Sequence, residues 1–379
     1  MLKFSPLHLI RSCLTVAAFV GLFACASSDS QKPLPKDLAP NPALIGIKGV
    51  WSSQLGPVDF PLQIRAANGQ LALASSDGNV LISDSGSGAA VWRANAGSGI
   101  SAGVGFDGRF AALTTNRNDL IVFESGKELW RAGLTAQVFT APLVAGERVF
   151  VLAADRTISA FDAFTGRKLW QNQRPGESLI LRQAGVLLAV KNTLVAGFSG
   201  RMVGINPVSG SALWDVAIAT PRGTNDIERL VDLVAGVRRN GEVVCARAFQ
   251  ASVACVDAGQ GKLLWRQNAS GSVGVHGDEQ RVYTTESDGR VIARLAANGE
   301  PAWESDQLRF RQLSAPLALG RSIVVGDNSG LVHVISREDG TMLNRLTTDG
   351  SPIDVTPTLA GNTLVVVTRK GGVFGFRPE

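Results

Sequence analysis

Residues that could carry out acid–base, nucleophilic or metal chemistry are few in this chain of 379 residues. Its three histidines are His8, His276 and His333. Alternating apolar neighbours predict a strand position for His333, whereas Val-His-Gly-Asp predicts a turn at His276. The sequence contains no Ser-His-Asp set, metal-spaced cluster or phosphate-binding glycine loop. Separated histidines disfavour acid–base catalysis, for which only carboxylates would remain, so we expect no enzyme activity, metal or cofactor.

Two cysteines, Cys245 and Cys255, lie at equal distances on either side of Gln250. A hairpin centred on Gln250 would place them opposite each other, with Cβ atoms ~4.5–5.5 Å apart. In an oxidising compartment such a pair can form a disulfide within one hairpin. The sequence therefore favours a disulfide, with two reduced, packed cysteines as the alternative.

A third set of candidate ligands consists of acidic or amide residues that recur four positions before a glycine. They are Asp84, Asp162, Asn206 and Asp257. One interpretation is a ring of metal-binding carboxylates. Recurrence at the same place in every repeat instead indicates that the side chain accepts backbone N–H bonds and fixes a turn.

These acidic residues belong to a repeated phrase, Asp-x-x-x-Gly-x-x-x-Trp, seen in full from Asp162 to Trp170. Its tryptophan position recurs at Trp51, Trp92, Trp130, Trp170, Trp214, Trp265 and Trp303, and finally as Asn344. A period near forty residues is typical of propeller blades, which take ~40–45 residues for four strands. Eight such positions predict eight blades.

The ends of the chain complete the ring in this prediction. The last unit, residues 356–377, supplies three strands, and the strand around Trp51 supplies the fourth. Closure matters because an open blade would expose unpaired edge groups. We therefore predict an all-β fold over residues 45–379: an eight-bladed β-propeller of four-stranded antiparallel blades, closed by the N-terminal strand joining the C-terminal blade.

The amino end has the composition of an export signal. Its apolar run, residues 13–24, is shorter than the ~20 residues that cross a bilayer. The run ends in Leu22-Phe23-Ala24-Cys25, which resembles the lipobox of bacterial lipoproteins. That resemblance implies a signal peptide over residues 1–24, lipid attachment at Cys25 and an outer-membrane location facing the periplasm. Ordinary cleavage beside an incidental cysteine is the alternative.

Residues 25–44 are rich in Pro, Ser and Asn, which predicts a flexible tether between lipid and propeller. Cleavage of the signal removes two positive charges, Lys3 and Arg11, so the net charge falls from +5 to +3. Since no run of basic residues remains, nucleic-acid binding is not expected.

The repeated phrase resembles that of quinoprotein dehydrogenases, whose eight blades hold pyrroloquinoline quinone. Those enzymes are larger, and many carry two adjacent cysteines over the cofactor, which this sequence lacks. A periplasmic quinone-dependent oxidoreductase is therefore the alternative function, and a general periplasmic interaction propeller is a third.

The repeat is interrupted around residues 174–182 and after Trp214, and both places resemble the BamB lipoprotein family of the outer-membrane β-barrel assembly machinery. Leu179-Ile180-Leu181-Arg182 is similar to that family's Leu-x-Leu-Arg segment. Ile227-Glu228-Arg229-Leu230-Val231-Asp232 resembles its Ile-Asp-Arg-Leu-x-Asp loop, although Val234 stands where the family often has a second acid. The residues that the resemblance implies in partner contact are Leu179, Leu181, Arg182, Arg229 and Asp232.

The BamB resemblance covers the chain from the lipobox to its carboxyl end. It implies a non-enzymatic scaffold that binds the periplasmic POTRA domain of BamA, works beside other Bam subunits and assists folding and insertion of outer-membrane proteins. Unfolded outer-membrane proteins are further candidate partners, since propellers expose outer strands that can accept an added strand.

Overall fold

A computed structural model describes residues 33–176, 179–221 and 223–379. Within these ranges the strands form eight four-stranded antiparallel sheets arranged as the blades of a propeller, which confirms the predicted fold. Blades 1 to 4 follow one another along the chain. Their strands are β2 Arg65–Ala67, β3 Gln70–Ala74, β4 Asn79–Asp84, β5 Ala90–Asn95; β6 Ile100–Phe106, β7 Phe110–Thr115, β8 Asp119–Glu124, β9 Lys127–Gly133; β10 Leu143–Ala145, β11 Arg148–Leu152, β12 Thr157–Asp162, β13 Lys168–Gln173; and β14 Leu187–Val190, β15 Thr193–Phe198, β16 Arg201–Ile205, β17 Ala212–Ala217.

Blades 5 to 7 continue the same order, and blade 8 combines both ends of the chain. Their strands are β18 Leu233–Asn240, β19 Val243–Ala248, β20 Ser252–Asp257, β21 Lys262–Asn268; β22 Val275–Gly277, β23 Arg281–Thr285, β24 Val291–Leu295, β25 Pro301–Ser305; β26 Leu317–Leu319, β27 Ser322–Gly326, β28 Leu331–Ser336, β29 Met342–Thr347; and β30 Thr358–Ala360, β31 Thr363–Val367, β32 Gly372–Pro378 with β1 Ile47–Gln54.

The hydrophobic core lies between neighbouring blades. In one cluster Leu120 and Val122 of blade 2 pack with Val149 and Val151 of blade 3, and all four are almost fully buried. Because the second and third strands of a blade are covered on both faces, their side chains are apolar throughout rather than alternating. Burial between blades therefore makes each blade depend on its neighbours.

The repeated tryptophan joins every blade except blade 7 to the next. Trp130 on β9 lies over the turn of blade 3 and donates from Nε1 to the Ala163 carbonyl at 2.8 Å. Gly166 in that turn has φ 71°, and a Cβ there would lie 2.7 Å from Cδ2 of Trp130. Only glycine meets both requirements, the left-handed backbone and the close approach of the ring.

The recurrent acidic residue fixes the same turn, as predicted. Oδ1 of Asp162 accepts hydrogen bonds from Thr165 N at 2.9 Å and Phe164 N at 3.1 Å. The Thr165 hydroxyl donates to the same oxygen. Together these bonds, of which the hydroxyl bond has the largest effect, hold the pKa of Asp162 below its usual value. Among the described residues no three His, Cys, Asp or Glu side chains are grouped as a metal site would need.

Blade 8 closes the ring by pairing the two chain ends. β1 runs antiparallel to β32, with Ile47 opposite Pro378 and Gln54 opposite Gly372. This blade has no hairpin between its third and fourth strands, because β32 and β1 come from opposite ends of the propeller sequence. A tryptophan on the outer strand of blade 7 would therefore find no turn glycine in blade 8 to cover. The residue at this position is Asn344, whose Nδ2 donates to the Ile45 carbonyl at 2.7 Å.

The segment just before β1 differs from the expected flexible tether. Residues 36–44, here called the strap, lie along blades 6 and 7 instead of extending from the propeller. Lys36 N donates to Arg309 O at 3.0 Å, and Leu44 N donates to Leu343 O at 2.8 Å. Between these two bonds Leu38 packs against the core cluster shared by blades 6 and 7.

Four further predictions concern cysteines and histidines. Cys245 and Cys255 lie opposite each other in the β19–β20 register, and the structure joins them as a disulfide. His333 is on strand β28 as predicted, but the turn predicted at His276 is wrong. His276 lies on the short inner strand β22, opposite Tyr283. Cys25 and the predicted signal peptide lie outside the described residues. Within the described residues, no helix is long and apolar enough to cross a membrane.

One buried ion pair fastens blade 5 to blade 6. Arg247 on β19 and Glu286 after β23 are almost completely buried, with Nη2 to Oε1 at 2.9 Å. Oε2 of Glu286 also accepts from Ser270 N at 2.6 Å. Burial opposes ionisation of Glu286, but the hydrogen bond and charge of Arg247 prevail and lower its pKa to about 2.

Candidate partner-binding site

The connections between blades all lie on one face of the propeller. Each runs from an outer strand to the inner strand of the next blade, and inner strands of successive blades run in the same direction. Both interruptions of the repeat are such connections. The first leads from β13 to β14 and the second from β17 to β18, so they flank blade 4 on the same face.

The two connections are bonded to each other. The Leu181 amide donates to Oδ2 of Asp232 at 2.8 Å. Further along, Ala235 N donates to Ala184 O at 2.7 Å, and Gly185 forms a β-bridge with Val234. The two segments with sequence resemblance to a contact surface are thus one structural unit, which we call the joined loops (residues 179–185 and 225–235).

Asp232 is enclosed by this unit and by blades 3 and 4. Burial raises its pKa, while the Leu181 amide, the charge of Arg156 and the Ser199 amide act in the opposite direction. Arg156 is itself held in place, donating from Nε to the Ser199 hydroxyl at 2.8 Å. The Asp232 carboxylate is therefore directed at backbone N–H groups within the protein.

The side chains of the first loop differ in exposure. Leu179 is 40% exposed, and Arg182 is exposed with its guanidinium 5.8 Å from the centre of the Phe139 ring. Leu181 is half-buried and lines a small cavity of about 60 Å³ together with Phe139 and Asp232. Leu179 and Arg182 are thus presented outward, while Leu181 fastens the loop.

The second loop forms a compact turn. Arg229 N donates to Asn225 O at 3.3 Å and Leu230 N to Ile227 O at 3.2 Å. Ile227 is 75% exposed, which is unusual for so large an apolar side chain. Val234, in the position of the family's second acid, is buried and makes no polar side-chain contact.

Sequence reasoning missed several residues that shape this unit. Phe139 and Arg156 belong to other blades, and no local pattern connects them with the joined loops. Thr140 was also missed; its hydroxyl accepts from the Gly185 amide at 2.9 Å. Ile227 belongs to the recognised motif but was not singled out as a contact residue. Its position in a polar, turn-forming stretch was the signal that it would be exposed.

The centre of the ring is a channel of about 1220 Å³, bordered by apolar and polar residues of several inner strands. His276 lies in its wall and accepts from the Ala318 amide through Nδ1 at 3.1 Å. Burial lowers the pKa of His276, although Asp278 acts against this effect. Its ring is thus occupied in joining blade 6 to blade 7.

Comparison with known proteins gives a consistent picture. The family model for outer membrane protein assembly factor BamB matches residues 76–305. The BamB of Burkholderia pseudomallei is 35% identical and that of Bordetella pertussis 32%, each match covering 96% of this chain and 96% of the relative.

Solved structures agree with the sequence relatives. The crystal structure of BamB from Moraxella catarrhalis superposes with a TM-score of 0.80 at 25% identity, covering 87% of this chain and 99% of that one. A quinohemoprotein alcohol dehydrogenase from Comamonas testosteroni, at 13% identity and TM-score 0.68, covers 91% of this chain and 79% of its own and shares the fold alone. On its sequence relatives and the matching family model, the chain belongs to the BamB family of outer membrane protein assembly factors.

Proposed function

We propose that the protein is a non-enzymatic, lipid-anchored subunit of the outer-membrane β-barrel assembly complex. It docks through the joined loops on a periplasmic POTRA domain of BamA and assists folding and insertion of outer-membrane proteins. The observation that carries the proposal is the bond between Leu181 and Asp232, because it unites two segments that both interrupt the repeat and resemble contact segments.

The chemistry of the joined loops suits a protein partner. Leu179 and Ile227 supply exposed apolar surface, and Arg182 beside Phe139 supplies a fork of hydrogen-bond donors. Apolar anchors surrounded by polar groups, with arginine among the strongest contributors, are typical of interface centres. A partner surface with an apolar side chain and a carboxylate would complement this arrangement.

Attachment to the outer membrane through Cys25 belongs to the same proposal, supported by the lipobox resemblance and by the names of the relatives. A multiply acylated cysteine would hold the protein at a membrane, since each buried methylene contributes ~0.8 kcal/mol. The protein would then face the periplasm, where the POTRA domains of BamA are found.

Replacing Leu179, Leu181 and Arg182 together by alanine tests the docking site. We expect binding to purified BamA POTRA domains to weaken by about 100-fold or more, because anchor residues contribute most of the binding energy. Co-purification with BamA from membranes should be lost while the melting temperature changes little.

The matched control replaces Leu129, Leu213 and Arg201 by alanine. Leu129 and Leu213 match the exposure of Leu179 but lie on the outer strands of blades 2 and 4, and Arg201 is an exposed arginine at the start of β16. The control should bind BamA like the wild type. Undiminished binding by the first variant, or equal loss by both, would rule out docking through the joined loops.

A further inference from the structure

The strap makes a regular set of contacts with blades 6 and 7. At its start, Nζ of Lys36 lies 3.0 Å from Asp306 Oδ1. In the middle, Asn41 donates from Nδ2 to Asn344 Oδ1 at 3.0 Å and to the Arg345 carbonyl at 3.2 Å. The contacts therefore continue along the whole segment and involve backbone as well as side chains.

Two arginines of the propeller hold strap carbonyls. Arg311 donates from Nη2 and Nε to Lys36 O at 2.9 and 3.2 Å, and Arg345 donates from Nη2 to Ala39 O at 2.9 Å. Arg311 is fixed from below by Asp327, which is buried and also bonded to His333 at 3.0 Å. Such preorganised, charged donors make stronger hydrogen bonds than exposed, movable ones.

The repeat is altered where the strap crosses it. Blade 7 is the blade with Asn344 in place of tryptophan, and this amide accepts from Asn41 and donates to Ile45. A tryptophan at this position would offer no acceptor to Asn41. It would also have no turn glycine to cover, because blade 8 lacks that turn. The departure from the repeat is thus explained by the segment that it binds.

We propose that blades 6 and 7 carry an intramolecular docking site for the anchor segment. The site fixes where the lipid tether leaves the propeller: beside residues 306–316, on the face that carries the joined loops. The inference rests on the proposed lipidation of Cys25. From Cys25 to Lys36 the chain can reach at most about 40 Å, so docking also limits how far the propeller can move from the membrane.

The position of the docking site has a consequence for assembly. The strap begins at the connection between blades 6 and 7, whereas the joined loops flank blade 4. Membrane attachment and partner docking therefore share one face but lie two to three blades apart around the ring. The docked strap would hold the propeller in a restricted orientation while it contacts BamA.

The test uses the full-length lipidated protein in vesicles of phosphatidylethanolamine and phosphatidylglycerol. Trypsin cleavage after Lys36 would free the propeller, and flotation measures the fraction that stays bound. The double variant Leu38→Asp, Asn41→Ala changes only the strap and leaves the blades intact. We expect it to be released about tenfold faster or more, since it loses a core contact and two hydrogen bonds.

The control is Leu34→Ser, which precedes the strap and is 85% exposed; it should be released like the wild type. Hydrogen exchange of residues 36–44 is the second measurement, with Lys36 and Leu44 amides protected in the wild type and unprotected in the double variant. Rapid exchange of these amides in the wild type, or equal release rates at unchanged melting temperature, would overturn the docking site. If the wild-type protein does not float with the vesicles before trypsin is added, lipidation of Cys25 is refuted instead. Hydrogen exchange of the strap amides then still decides whether the strap is docked.

Discussion

Asp232 joins two connections that are separated by an entire blade. Its carboxylate accepts the Leu181 amide and lies beside Ser199 and Arg156, so it holds backbone groups within the protein. The same holds for Asp162 in its turn and for Glu286 at the blade seam. At the residue scale, these acidic groups hold the backbone, whereas the exposed groups of the joined loops include apolar side chains and arginine.

Substitutions at Asp232 can distinguish a positioning residue from a direct contact. Asp232→Ala removes both acceptors and should weaken BamA binding about tenfold, because an unsatisfied backbone amide costs ~1–3 kcal/mol. Asp232→Asn keeps one acceptor and should be intermediate. Binding is measured by calorimetry, and hydrogen exchange of residues 179–182 should rise in the same order. Equal loss of binding by both variants, with unchanged exchange, would indicate a direct ionic contact.

At the scale of elements, neighbouring blades share core, and every blade except blade 7 is tied to the next by a tryptophan over a turn glycine. The Arg247–Glu286 pair adds a further link between blades 5 and 6. The tryptophan contact recurs and could therefore be found from the sequence. The ion pair occurs at one seam only, where two charges are removed from water and must satisfy each other.

The low pKa of Glu286 predicts an acid-dependent contribution to stability. A carboxyl whose folded pKa is about 2 stabilises the fold above its unfolded pKa of 4.5 and loses this contribution as pH falls from there toward 2. Glu286→Gln should lower the free energy of unfolding at pH 7 by about 3–5 kcal/mol. In urea titrations the difference from wild type should shrink between pH 5 and pH 2.

Glu304→Gln provides the control. Glu304 pairs with Arg290 at the surface, where a salt bridge contributes ~0–1 kcal/mol. A difference between wild type and Glu286→Gln that stays constant from pH 6 to pH 2.5 would refute the assigned role of the ion pair.

At the scale of the whole propeller, residues 45–379 form a ring whose stability depends on one junction. β32 lies between β1 and β31. On one side it pairs with β1, the first strand of the propeller sequence, and on the other it pairs with the rest of blade 8. Because cores lie between blades, a break at this junction exposes apolar surface of blades 7 and 1 as well.

Deleting residues 374–379 should therefore destabilise the entire propeller. It removes most of β32 and unpairs β1, so we expect the melting temperature to fall by about 10 °C or more, in one transition. Calorimetry on the full-length and shortened proteins measures this, with deletion of Glu379 alone as the control. An unchanged melting temperature would mean that the ring does not need this closure.

Much of this architecture could be predicted from the sequence because it repeats. The spacing of the repeat positions from Trp51 to Asn344 predicted the blade number and closure, and the count around Gln250 predicted the register of the cysteines. The strap could not be predicted, since a Pro- and Asn-rich segment has the same composition whether or not Arg311 and Arg345 bind it. The turn expected at His276 was wrong because a three-residue strand is too short to show alternation.

The pairing of β1 with β32 also sets the order of events during synthesis. These strands are separated by more than 300 residues, so the first propeller strand made must wait for the last one. At a ribosomal rate of about 5–20 residues per second, that wait is tens of seconds. A ring with this topology therefore cannot close before its carboxyl end has been translated.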